Sequence, residues 1–162
     1  MGKVVMTRVD ARLIHGQVAA RWTNFLNANK IVVIDDETAK DKLLMELFRV
    51  AAPLGTKVRV YSLENAIAAW NKDQFGQGRI IVLFKTIDNA ALCYEKGFTF
   101  QSLNVGQSPK REDRINVYNS VHISRDEFAK LQRLHDAGVE VYFHSTPDDR
   151  KASFQDAAAK MK

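Results

Sequence analysis

Short apolar runs alternate along this chain with longer stretches of helical periodicity, and no other property restricts its fold as much. Residues 4–9, 31–34, 58–61, 80–84, 102–105, 116–123 and 139–143 each read as a strand. Residues 31–34 and 80–84 carry no polar side chain at all, the pattern of strands buried on both faces of a parallel sheet. The run at 80–84 is the most apolar and is expected at the centre. Between the strands, Val18, Trp22, Phe25 and Leu26 recur at helical spacing. So do Leu43, Leu44, Leu47, Phe48 and Val50, then Ala66, Ile67 and Trp70, then Ala90, Leu92 and Cys93, then Phe128, Leu131 and Leu134. Pro53 and Gly55 stop the second helix, Ser62 caps the third, and Ser124 with Glu127 forms a capping box. The tail from Pro147 is expected to be helical. This alternation predicts an α/β fold: a doubly wound, mostly parallel sheet of about seven strands, helices on both faces. At 162 residues the length suits one domain over 1–162.

Such sheets bind ligands beyond the carboxyl ends of their strands, where strand order reverses. The loop after the first strand reads Arg8-Val9-Asp10-Ala11-Arg12-Leu13-Ile14-His15-Gly16-Gln17-Val18. It sets one imidazole and two guanidinium groups at a helix N-terminus, where unpaired N–H groups and the dipole favour an anion. Gly16 lets backbone come close to whatever the ring carries. With a reference pKa of about 6.5, His15 is mostly neutral at pH 7 and keeps a lone pair. That nitrogen can attack phosphorus and later leave as a neutral ring. A phosphoryl group brings about −1.5 to −2 charges, which Arg8 and Arg12 can meet with two-pronged hydrogen bonds that Lys cannot form. Asp10 is expected to orient an arginine or the imidazole, or to cap the loop. Taken alone, the cluster also fits a solvated surface loop.

The motif Arg-x-Asp-x-Arg-Leu-Ile-His-Gly-Gln-Val after a first strand, with Trp22 beyond it, resembles the IIB component of the mannose/fructose/sorbose family of the bacterial phosphoenolpyruvate-dependent sugar phosphotransferase system. The likeness continues through Val32-Val33-Ile34-Asp35-Asp36-Glu37, Ala51-Ala52-Pro53, Leu83-Phe84-Lys85-Thr86 and Leu103-Asn104-Val105-Gly106. It implies that His15 takes a phosphoryl group, through Nδ1, from the phosphohistidine of a IIA component. His15 would pass that group to a sugar imported by the IIC/IID membrane proteins. Arg8 and Arg12 would then be catalytic partners on the phosphoryl oxygens, with backbone N–H groups around Gly16 and Gln17 completing the cradle. The resemblance also puts the reversal of strand order between the first and fourth strands. Lys85 and Thr86 would flank His15 there, Lys85 as a minor phosphate partner. Two positions depart from the family pattern: position 11, often acidic, is Ala11, and the second glycine after Asn-Val-Gly is Gln107.

Other classes find less support. The net charge of +5 is scattered, without an aromatic-interleaved basic run, so nucleic acid is not expected as a partner. There is no Walker or spaced-glycine nucleotide loop. Asp35 and Asp36 could pair on magnesium in another α/β enzyme, but capping or solvation explains them. His122 and His144 lie near strand ends without metal-ligand spacing, and His135 suits a helix C-terminus; no metal or cofactor is expected. Cys93 reads as a small buried hydrophobe. No apolar run is long enough to span a membrane, and the first residues lack a signal-peptide core, so a cytoplasmic carrier that meets the permease peripherally is expected. Oligomeric state, a homo-oligomer included, stays open. The main alternative is a binding module that holds phosphate or nucleic acid without a covalent step. A histidine phosphatase fits poorly, because no second His and acid accompany the first.

Overall fold

The computed structural model describes residues 2–162, which form nine strands and seven helices. The first half runs β1 (Lys3–Asp10), α1 (Gly16–Leu26), β2 (Lys30–Ile34), α2 (Asp36–Ala39), α3 (Lys42–Ala51), β3 (Lys57–Tyr61), α4 (Leu63–Asp73) and β4 (Arg79–Phe84). The second runs α5 (Ile87–Glu95), β5 (Ser102–Gln107), β6 (Ile115–Tyr118), β7 (Val121–Ile123), α6 (Arg125–Asp136), β8 (Glu140–Phe143), β9 (Ala152–Ser153) and α7 (Phe154–Lys160). Seven strands form one sheet in the order β3-β2-β4-β1-β5-β8-β9, with every pairing parallel except that of β9.

Alternation of side chains explains the apolar runs. On β4, Ile80, Val82 and Phe84 enter a core shared with α4, α5, α6 and α7, while Ile81 and Leu83 enter a second core under α1 and α3. On β2, Val32 and Ile34 face the first core, and Ile31 and Val33 the second. Each such burial is worth about 1.5–3 kcal/mol, and the polar residues of both strands, Lys30 and Arg79, stand at their first positions. The chain leaves β1 through α1 on one face and leaves its neighbour β4 through α5 on the other. The crevice of the doubly wound sheet therefore opens beyond β1 and β4, as expected.

Two expectations need correction. Residues 116–123 are not one strand of the main sheet. Asn119 takes a positive φ of 30°, and β6 and β7 fold back on each other as a separate two-stranded hairpin. The tail is not helical from Pro147: it first gives β9, antiparallel to β8, and α7 begins only at Phe154, behind a Ser153–Asp156 capping box. The seventh strand of the sheet thus comes from the tail. Among the described residues, no helix is long and apolar enough to cross a membrane.

Candidate functional site

Asp10 ends β1 and is 1% exposed, beyond the reach of solvent. Four donors satisfy its two oxygens. The Arg12 backbone N–H and Nε donate to Oδ1 at 3.0 and 3.1 Å, and Arg12 Nη2 and Arg8 Nη2 donate to Oδ2 at 3.1 and 3.2 Å. Arg12 is thus held by a two-pronged contact along its Nε–Nη2 edge, the geometry that makes Arg–carboxylate pairs strong and directional. Its side chain is 37% exposed, and Nη1 has no partner among the described residues. Asp10 therefore orients an arginine, one of the two roles the sequence allows it.

Arg8 is placed differently from the expectation. Alternation along β1 turns it inward with Met6 and Asp10, and it is only 2% exposed. Its Nη1 donates to Asn104 Oδ1 at 2.9 Å and to the His144 carbonyl at 2.8 Å. Its Nη2 donates to Asp10 and, at 2.9 Å, to the Ser145 carbonyl. The guanidinium also lies 5.4 Å from the centre of the Trp22 ring, whose indole N–H donates to that same Ser145 carbonyl at 3.0 Å. Burial pulls the Arg8 pKa below its ordinary value and Asp10 pulls it back. With both terminal nitrogens committed, Arg8 does not reach the outer surface of the loop. Sequence reasoning missed the residues that hold it: Asn104, Trp22 and the His144–Ser145 turn. A polar Asn104 between the buried Leu103 and Val105, in register with Arg8, was the available signal.

Beyond Asp10 the chain turns tightly, with Leu13 at a φ of 58° and its N–H on the Asp10 carbonyl at 2.9 Å. Leu13 and Ile14 plunge into the core under α1 and α3, each 5% exposed. This pins the loop from beneath and leaves Arg12 and His15 outside. His15 is exposed, occupies the N-cap of α1 in extended conformation, and makes no side-chain capping bond. The Val18 and Ala19 N–H groups donate to its carbonyl at 3.0 and 3.2 Å, so those of Gly16 and Gln17 precede the first intrahelical bond. The first turn of α1 carries no acidic residue. A ring, two backbone donors and the positive end of a helix dipole therefore meet in the open. Gly16 has a φ of 28°, and a Cβ there would meet nothing within 4 Å, so its backbone conformation, not crowding, favours glycine.

Lys85 and Thr86 follow β4, whose Phe84 is in register with Val9, so both lie at the same end of the sheet as the loop. Lys85 is exposed there. Thr86 is the N-cap of α5, accepting from the Asn89 N–H at 3.1 Å. Asp35 caps α2 through Thr38 and accepts from Asn89 Nδ2 at 3.1 Å, and Asp36 accepts from the Leu63 N–H, so capping explains both carboxylates. His122 stands apart on the β6–β7 hairpin, 3.3 Å from Asn116 Nδ2. His144 packs its ring edge-on to Trp22. His135 stacks on Phe154 in the last turn of α6. Cys93 is buried, and burial pushes its thiol up to about 12. The Ala51-Ala52-Pro53 motif finds its place beside the site. Ala51 and Pro53 join Gly16, Gln17, Ala20 and Arg21 in lining a groove of about 470 Å³.

Comparison with known proteins bears on this geometry. The family model for the PTS system sorbose subfamily IIB component matches residues 4–162. The mannose-specific EIIAB component of Escherichia coli K12 is 30% identical over 96% of this chain, which spans 48% of that relative, about half its length. The sorbose-specific EIIB component of Lacticaseibacillus casei is 30% identical over 85% of this chain and 84% of its own. Among solved structures, manxB from Thermoanaerobacter tengcongensis superposes with a TM-score of 0.92 at 35% identity, covering 99% of this chain and 97% of that one. The IIBSor domain of the sorbose permease from Klebsiella pneumoniae superposes with a TM-score of 0.90 at 27% identity, covering 99% and 98%.

Proposed function

Because the chain belongs to the sorbose subfamily of IIB components of the sugar phosphotransferase system, we propose that it is a phosphocarrier using His15 as its phosphoryl acceptor. One observation carries the assignment of the residue. Of the four histidines, His15 alone combines an exposed ring, an uncapped helix N-terminus and an adjacent, pre-oriented arginine.

In the proposed step a neutral nitrogen of His15 attacks the phosphorus of a phosphohistidine on a IIA component. The new N–P bond forms as the donor's N–P bond breaks, and that bond's electron pair returns to the donor ring. Both ends of the exchange are neutral nitrogens, so the step consumes no net proton. The Gly16 and Gln17 N–H groups supply donors for the developing charge, together with the free Nη1 of Arg12. Lys85 adds positive charge at the rim. The reverse geometry then serves delivery to a sugar held by the IIC/IID membrane proteins, which the carrier meets peripherally at the cytoplasmic face. Relatives named for mannose, sorbose, N-acetylgalactosamine and fructose point to a hexose or N-acetylhexosamine as the final acceptor.

The test is exposure to a phosphorylated IIA protein, followed by mass measurement under denaturing alkaline conditions. A gain of one phosphoryl group that survives alkali and disappears in acid supports a phosphohistidine carrier. Phosphate that is lost on denaturation would instead mean a non-covalent binding module.

A further inference from the structure

We propose that Arg8 is a positioning residue: it cancels the buried charge of Asp10, so that Arg12 can be held by that carboxylate and still present a net positive charge to the phosphoryl group. The inference rests on the reading of His15 as acceptor and extends it to a residue that does not touch the phosphoryl group.

The need for such a residue follows from the geometry. A carboxylate is a poor neighbour for an incoming phosphoryl group, yet Asp10 accepts hydrogen bonds from three Arg12 nitrogens. That clamp fixes where Nη1 points, but by itself it makes a neutral pair. Arg8 supplies the missing charge. With Arg8 and Arg12 positive and Asp10 negative, the cluster keeps one net positive charge. Arg8 can supply it from below because its own position is fully determined. Asn104 Oδ1 and the carbonyls of His144 and Ser145 point their negative ends at its guanidinium, and the Trp22 ring lies against it. Gly106 makes the room, since a Cβ there would lie 2.1 Å from Arg8 Cζ. A lysine-like point charge would leave most of these acceptors unpaired. The central strand of the sheet thus buries a guanidinium together with the carboxylate it neutralises.

The experiment compares Arg8→Met with the double variant Arg8→Met/Asp10→Asn, in single-turnover transfer from saturating phosphorylated IIA protein. Removing Arg8 alone leaves Asp10 to neutralise Arg12, so the saturated rate should fall by about tenfold or more. Removing both charges restores one net positive charge on Arg12. Asparagine can keep the Oδ1 contacts with the Arg12 backbone N–H and Nε but not the Oδ2 contact with Nη2, so the double variant should be clearly faster than Arg8→Met while staying below wild type. A double variant as slow as Arg8→Met would overturn the proposal and leave Arg8 a packing role. So would an Arg8→Met protein as fast as wild type. Where Arg8→Met fails to fold, Arg8→Lys decides: it keeps both the Asp10 clamp on Arg12 and the charge that cancels Asp10, so a saturated rate within about threefold of wild type supports the charge argument and a folded Arg8→Lys protein about tenfold slow contradicts it. Failure of the wild-type protein to take phosphoryl on His15 would instead remove the earlier reading.

Discussion

Gly106 lies flat against the guanidinium of Arg8, close enough that an added Cβ would sit 2.1 Å from Cζ. The glycine is therefore required by a side chain on the neighbouring strand and not by its own backbone. Gly106→Ala must push Arg8 out of register with Asn104 and the His144–Ser145 turn. Overpacking of this kind costs about 1–3 kcal/mol, to be read as a lowered urea midpoint with unchanged slope. Phosphoryl acceptance should slow in the same variant. A Gly106→Ala protein of wild-type stability and rate would mean that Arg8 has slack.

Arg12→Lys should slow transfer more than its retained charge suggests. The two-pronged contact of Nε and Nη2 with Asp10, both at 3.1 Å, cannot be made by an ammonium group. Losing a charge-assisted hydrogen bond of about 1.5–3 kcal/mol corresponds to roughly 10- to 150-fold if it acts in the transition state. Single-turnover rates at saturating donor measure this. A lysine variant within about twofold of wild type would reduce Arg12 to a point charge.

Added salt should separate docking from chemistry. Arg12 and Lys85 are exposed on one end of the sheet, so an acidic rim on the donor would be steered toward them. That steering is screened as the Debye length shrinks from about 30 Å at 0.01 M to about 10 Å at 0.1 M. The second-order rate at low donor should fall steeply with NaCl while the saturated rate moves little. A second-order rate indifferent to salt would mean that docking is apolar.

Cys93 should be inert in the folded protein. Burial raises its thiol from 9.0 to about 12, so the neutral form is favoured by folding. Its contribution to stability is complete below the unfolded pKa near 9.0 and is lost as pH rises from there toward about 12. Iodoacetamide at pH 8 should label Cys93 only after denaturation. Rapid labelling of the native protein would place the thiol at the surface.

Much of this architecture was legible because it rests on patterns with a single physical meaning. Unbroken apolar runs at 31–34 and 80–84, too short for a helix and rich in β-branched residues, read as strands buried on both sides, and the Ser124–Glu127 capping box stands where the spacing puts it. Residue type in the loop from Arg8 to Gln17 was enough to place an exposed ring at a helix N-terminus close to an arginine in sequence. What escaped depends on partners distant in sequence. Arg8 reads as a loop arginine until Asn104 of β5 is seen in register with it, and Trp22 reads as a core residue until its indole finds Ser145. The break falls at Asn119-Ser120, two turn-forming residues between halves that pair with each other, a signal outweighed by the β-prone residues on either side. β9 is two residues long, too short for any periodicity to show.

The most direct measurement is to locate the phosphoryl group itself. The protein is charged by a phosphorylated IIA donor, kept alkaline, digested, and mapped by mass spectrometry, with His15→Ala and His122→Ala run in parallel. The phosphoryl group should lie on the peptide holding His15. The His15→Ala protein should stay folded yet take none, since His15 sits outside both cores, and the His122→Ala protein should charge like wild type. A phosphoryl group on any other residue, or normal charging of a folded His15→Ala protein, would contradict the assignment of this loop as the seat of transfer.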